Sequence, residues 1–345
     1  MAHNAPSAPT APTAQTTSAS GASYSPQGIF VPLVTPFGLD GRPDLDALAG
    51  LAHAALDGGA SGVVALGTTG ESGALEPDER TAVVDTCAQV CRERRAALIV
   101  GAGGGATAAA ARDLAELSRW PEVTAALVTV PAFVRPSLDG VVAHFARLAE
   151  VSPVPLVVYH IPYRTGRSLD APTLRALGAL PGVAGVKHAA GGIDQDTVAL
   201  LGDLPDGFAV LAGDDVFASA LLGLGAAGGI LASAHVATDR FVALAAAWQA
   251  GDVPRARDLG HRLARLSTAL FAEPNPAVVK GVLHAQGRIP TADVRLPMLP
   301  ASEESVAAAL RVLAEVEAAT ATGAGAGAAA EAGATNGAGA ELAAV

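Results

Sequence analysis

Lysine is almost absent from this chain. Of the 22 basic residues in its 345 positions two are lysines, Lys187 and Lys280, and the other 20 are arginines. Where positive charge alone is needed the sequence uses arginine, so each retained lysine asks what an amine does that a guanidinium cannot. Cysteine is equally scarce. Two residues cannot build a disulfide framework for a chain of this size, and Cys87 and Cys91, four apart in an expected helix, read as small buried side chains in a reducing compartment. Basic residues are outnumbered by 33 acidic ones, giving a net charge of −11 and a pI near 5.1. That balance excludes the basic stripe with which nucleic-acid binders displace counterions. No apolar run reaches the roughly 18 residues needed to span a bilayer. A soluble, cytoplasmic protein with neither nucleic acid nor membrane as partner is expected.

The ends are polar or monotonous. Residues 1–27 are rich in Ala, Pro, Ser and Thr and contain no Lys or Arg, so they resemble neither a secretory signal nor a transit peptide and read as a disordered leader. Residues 319–345 are nearly all Ala, Gly, Thr and Glu and read as a disordered tail.

Between these ends, short continuous runs rich in Val, Ile and Leu recur at Gly28–Phe37, Ser61–Leu66, Ala96–Val100, Ala125–Pro131, Pro155–Tyr159, Val183–Lys187, Phe208–Ala212 and Gly228–Ala232. Continuous rather than alternating apolar character is the mark of parallel strands covered on both faces. The intervening stretches carry helical periodicity. Asp44 precedes one whose apolar face is Leu45, Leu48, Leu51 and Ala52, and Glu76-Pro77-Asp78-Glu79 opens the next with proline and acids in the first turn. Eight strand–helix units predict an α/β fold, a (β/α)8 TIM barrel over residues 28–252, with additional C-terminal helices in a region at 253–318: Val253–Phe271, Pro276–Gln286 and Ser302–Val316.

In such barrels chemistry belongs at the C-terminal strand ends. Those positions hold Thr35, then Gly67-Thr68-Thr69-Gly70-Glu71, Phe133 and Arg135, Tyr159, Lys187, and Gly213-Asp214-Asp215. Lys187 lies in GVKHAAGG, among small apolar neighbours that disfavour an ammonium and leave free amine to form an imine with a ketone. A guanidinium, always protonated, cannot do this. The structural alternative is an ion pair with Asp214 or Asp215. Lys280, outside the strand-end ring, suits a structural role. The two threonines and glycines after the second run could hold a small carboxylate. Gly101-Ala102-Gly103-Gly104-Gly105 lacks the lysine of a phosphate loop and reads as a turn. The loop YHIPYRTG sets Tyr159 and Tyr163, two of three tyrosines in the chain, beside Arg164, a side chain suited to bidentate carboxylate recognition.

GTTGES, YHIPYRTG, GVKHAAGG, LAGDD and AEPNPAVVKGVLHAQG followed by RLPMLP resemble, in order, the motifs of the dihydrodipicolinate synthase and N-acetylneuraminate lyase family of Schiff-base aldolases, over about Gly28 to Pro300. The resemblance implies that Lys187 condenses with pyruvate, that Tyr159 relays protons, and that Thr68 and Thr69 hold the pyruvate carboxylate, with Thr69 also in the relay. It implies that Arg164 grips the carboxylate of L-aspartate-4-semialdehyde, as in the synthase branch, and that Gly213 and Ile230 complete the substrate-binding set. The product is 4-hydroxy-tetrahydrodipicolinate, at the start of lysine biosynthesis, made without metal or organic cofactor by a homotetramer. Phe133 stands where the synthases carry a tyrosine that reaches into a neighbouring subunit, which leaves that part of the relay to Tyr163, His160 or water. The stretch SGALEPDER lacks histidines that line a lysine-inhibition site in some synthases. The alternatives are a related pyruvate-dependent aldolase or dehydratase acting on a 2-keto-3-deoxy sugar acid or another aldehyde, and a non-catalytic keto-acid-binding homologue.

Overall fold

The computed structural model describes residues 24–334, with side chains through residue 318. Eight parallel strands, β1 (Gly28–Pro32), β2 (Gly62–Ala65), β3 (Ala97–Ala102), β4 (Val123–Thr129), β5 (Leu156–His160), β6 (Val183–His188), β7 (Ala209–Ala212) and β8 (Gly228–Ile230), pair in sequence order and close through β1 and β8. This is the expected (β/α)8 barrel. Strand residues alternate between two cores. Phe30, Val64, Ile99, Leu127, Val157, Leu211 and Ile230 fill the interior, while neighbours such as Val31, Val63, Val158 and Val186 pack outward against the helices. Both faces are therefore apolar, which is why the strands read as continuous runs.

The first strand is shorter than the run that announced it. Beyond Leu33, whose N–H still donates to the Val64 carbonyl, the chain leaves the ladder: the Val34 N–H donates to His235 Nε2, and Phe37 forms an isolated bridge with Pro43. The helix starts follow the sequence chemistry. Asp44 caps Leu45–Asp57 by accepting from the Ala47 N–H at 2.9 Å, and Glu76 and Glu79 form a capping box at Pro77–Arg94. Cys87 and Cys91 are free and buried on that helix, burial raising both thiols, that of Cys91 to about 12.

Among the described residues three helices follow the barrel, Val253–Leu270, Ala277–Ala285 and Glu303–Ala334. The last continues past Val316 into the segment expected to be disordered from residue 319, its alanines keeping helical backbone through the glycines. The rest of that tail, and the leader through residue 23, lie outside the described residues. No helix among the described residues is long and apolar enough to cross a membrane.

Candidate active site

Lys187 and Tyr159 face each other because β5 and β6 pair with Tyr159 opposite Lys187. Alternation then turns both side chains into the barrel, and the Lys187 Nζ lies 4.3 Å from the centre of the Tyr159 ring. Both residues are buried. The ion pair weighed from sequence does not form: among the described residues Lys187 makes no salt bridge. Asp214 instead accepts from the Gly191 N–H at 2.7 Å, and Asp215 from the Ser233 N–H at 2.6 Å. Burial pushes both carboxyls up, Asp215 to about 6, against the pull of those N–H groups and of Lys187. Gly213 is what admits the lysine. A Cβ there would lie 2.9 Å from Lys187 Cγ and 3.0 Å from the Ala189 Cβ.

The turn after β2 brings in the threonines. Thr68–Gly70 form a single 3-10 turn, and Glu71 follows in left-handed backbone at φ 54°, a conformation that costs an acidic residue roughly 1–3 kcal/mol and tends to occur at functional sites. Two side chains hold this turn from outside. Thr35, the polar residue at the end of the first run, donates from Oγ1 to the Gly70 carbonyl at 2.7 Å, and Asn275 donates from Nδ2 to Thr69 Oγ1 at 3.0 Å.

These residues converge on one cavity lined by Thr68, Thr69, Tyr159, Tyr163, Arg164, Lys187, Gly213, Asp214, Asp215 and Ile230, with Ile161, Ala232, Phe271 and Asn275 completing the wall. Lys187, Tyr159, Thr68, Thr69, Arg164, Gly213 and Ile230, named from sequence as catalytic or substrate-binding, are all here. Asn275 and Phe271 were not expected. They come from the segment after the barrel, 206 residues from Thr69 in the case of Asn275, which lies in the motif AEPNP; nothing in the sequence pointed to Phe271.

The three relay candidates separate. Tyr163 lines the cavity with the Arg164 guanidinium 4.9 Å over its ring. Phe133 stands 96 % exposed on a turn with left-handed backbone at both Phe133 and Arg135. His160 is buried but turned to the outer face of β5, its Nε2 accepting from the Leu169 N–H, so it does not reach the cavity. The reason is the strand period: adjacent residues point to opposite faces, and Tyr159 takes the inner one. Lys280 is fully buried, 2.8 Å from Glu71 Oε1, in the structural role expected of it.

The model of the dihydrodipicolinate synthetase family matches residues 25–316. A 4-hydroxy-tetrahydrodipicolinate synthase of Moorella thermoacetica is 39 % identical over 289 residues, 82 % of this chain and 97 % of the relative. One from Clostridium acetobutylicum is 36 % identical over 80 % of this chain and 96 % of its own. Among solved structures, the chloride-inhibited dihydrodipicolinate synthase of Acinetobacter baumannii complexed with pyruvate superposes with a TM-score of 0.80 at 33 % identity, over 84 % of this chain and 99 % of that one. The synthase of Thermotoga maritima gives 0.81 at 30 % identity over 84 % and 98 %. A matched model spanning nearly all the described residues, on a barrel of the same shape, leaves one conclusion: the chain belongs to the dihydrodipicolinate synthetase family.

Proposed function

We propose that the chain condenses pyruvate with L-aspartate-4-semialdehyde through an imine on Lys187, giving 4-hydroxy-tetrahydrodipicolinate. The observation that carries this reading is the convergence, in one cavity, of Tyr159, Thr68, Thr69 and Arg164 with a buried lysine that forms no ion pair among the described residues. The Lys187 amine adds to the ketone carbon of pyruvate, and loss of water leaves the imine. Loss of a methyl proton gives an enamine whose carbon attacks the aldehyde, and the new alkoxide takes up a proton. The substrate amine then attacks the imine carbon and frees the lysine as the ring closes. Tyr159, facing the Nζ, is placed to carry protons in these steps, the threonines to bind the pyruvate carboxylate, and Arg164 to pair with the carboxylate of the second substrate. Tyr163, on the same wall, is the side chain able to supply the hydroxyl that Phe133 lacks. No cofactor enters this scheme.

Reduction with borohydride in the presence of pyruvate, followed by peptide mass mapping, tests it. An adduct on Lys187 is expected, absent without pyruvate and absent in Lys187→Arg. An unmodified Lys187 in active protein would remove the Schiff-base reading.

The finer reading is a cytoplasmic homotetramer. Phe133 and Val134, apolar and exposed on the turn after β4, suit a surface covered by another copy. Light scattering is expected to give four times the 34.0 kDa chain mass. A monomer mass at micromolar concentration would contradict it.

A further inference from the structure

Behind the facing pair of Tyr159 and Lys187 stands a second facing pair. His160 and His188 are register partners one step along β5 and β6, both 2 % exposed, on the outer wall of the barrel. Their ring centres are 5.2 Å apart, and the two Nδ1 atoms 3.4 Å apart.

The neighbours fix where each proton sits. The Leu169 backbone N–H can only donate, and it meets His160 Nε2 at 3.1 Å, so that nitrogen is bare and the proton of the neutral ring is on Nδ1. His160 Nδ1–H then donates to His188 Nδ1, which places the second ring's proton on Nε2, 3.0 Å from Thr197 Oγ1. Thr197 passes the direction on, donating to Asp194 Oδ1 at 2.8 Å. Asp194 is itself the cap of the helix Gln195–Leu201, accepting from the Thr197 N–H at 2.8 Å. A single ordered chain thus runs from the loop after β5, across both strands, to the start of that helix.

The chain requires both rings neutral. A proton added to His160 Nε2 would confront the Leu169 N–H, and one added to His188 Nδ1 would confront the ring opposite. The environment keeps them so: burial pushes His160 down to about 3, with His188 adding to the fall against Asp194, and burial lowers His188 against the pull of Asp194 and Asp214.

We propose that His160 and His188 are positioning residues, a clamp on the outer face of β5 and β6 that sets the register and spacing at which the Tyr159 phenol meets the Lys187 amine. Each is the covalent neighbour of the residue it positions, so a shift of either ring moves a catalytic side chain across the sheet. The inference rests on Lys187 being the imine-forming lysine. Displacement of reacting groups by about 1 Å is enough to cost on the order of a hundredfold in rate.

The test compares His160→Leu, His160→Asn and Thr197→Val in the full-length chain. His160→Leu removes both hydrogen bonds and is expected to lower kcat at least about tenfold, with KM for either substrate changed less than about threefold because the cavity wall is untouched. His160→Asn is expected to recover most of that loss, since its carbonyl can accept from Leu169 while its amide donates to His188. Thr197→Val, at the far end and away from the cavity, is expected to lower kcat in the same sense by leaving His188 Nε2–H without its acceptor. The rate of borohydride-trapped adduct on Lys187 should follow kcat across the series. Folded His160→Leu with kcat within twofold of the parent, or an Asn variant as slow as the Leu variant at equal Tm, would overturn the clamp. If His160→Leu does not fold, Thr197→Val with unchanged kcat and trapping rate would overturn it alone. A parent that forms no adduct on Lys187 would overturn the Schiff-base reading and this inference with it, an outcome distinct from a normal adduct unaffected by the variants.

Discussion

Lys280 and Lys187 differ in what surrounds the side-chain nitrogen. Lys280 lies 2.8 Å from Glu71 Oε1 and 4.0 Å from the centre of the Phe37 ring, with no exposure at all. The other oxygen of Glu71 accepts from the Arg295 backbone N–H at 2.8 Å, and the Arg295 guanidinium continues to the Ala74 and Gly41 carbonyls and to Glu79. This assembly pins the left-handed Glu71, and with it the threonine turn, to the segment after the barrel. Removing one partner of a buried pair strands the other's charge, at a cost of about 3–5 kcal/mol. Lys280→Met is therefore expected to lower Tm by several degrees, whereas Lys187→Met, which breaks no ion pair, should leave Tm nearly unchanged while abolishing turnover. Thermal unfolding of the two variants side by side checks this, and a smaller Tm loss for Lys280→Met than for Lys187→Met would contradict it. A compact amine on a flexible stem fits both places, protonated in one as a buried point charge and serving in the other as a nucleophile.

Elements were legible in the sequence to the extent that burial governs their composition. Each of the eight strands lies mainly within an apolar run, because its inner residues face the barrel core and its outer ones the helices. Lys187, Tyr159, Thr68, Thr69 and Arg164 stood out because polar groups at the ends of apolar strands have few structural reasons to be there. Strand ends were less legible: Val34 and Phe37 are as apolar as Val31, and only the three-dimensional path of the chain, with Val34 bonded to His235, takes them out of the ladder. Asn275 had no local signal of a site role beyond its motif, because its hydrogen bond to Thr69 ties the segment after the barrel to the turn after β2, 206 residues away. The sequence offers His160 as one substitute for the hydroxyl that Phe133 lacks, yet register is needed to see that its partner is His188 and that both rings lie behind the site. Local pattern specifies which face a residue takes once the strand phase is known. It does not specify what waits on that face.

For the molecule as a whole, buried histidines set the response to acid. His160, His188 and His235 are all held neutral, His235 pushed down to about 4 by complete burial, with Arg288 nearby, while its Nε2 accepts from the Val34 N–H and its Nδ1–H donates to the Ala232 carbonyl at 2.9 Å. A histidine whose folded pKa lies below the unfolded value of 6.5 contributes its full stability above pH 6.5 and loses it as pH falls towards the folded value. Each such group costs about 1.4 kcal/mol per pH unit within that window. Asp215 works in the opposite sense: raised from 3.8 to about 6, its burial is a penalty at neutral pH that is relieved as pH drops below 6. Asp214 is raised in the same sense, but burial also lowers His144, so four lowered histidines face two raised carboxyls and the net slope is towards instability. Tm is expected to be level from pH 8 to 7 and to fall progressively from pH 6.5 to 5, above the range in which paired carboxylates such as Glu79 and Asp194 protonate. In His235→Gln, whose amide can accept from Val34 and donate to Ala232 without titrating, the fall should be shallower. Calorimetry at pH 7.5, 6.5, 5.8 and 5.0 on both proteins decides it, and a parental Tm that rises on acidification would mean that relief at Asp215 outweighs the histidines.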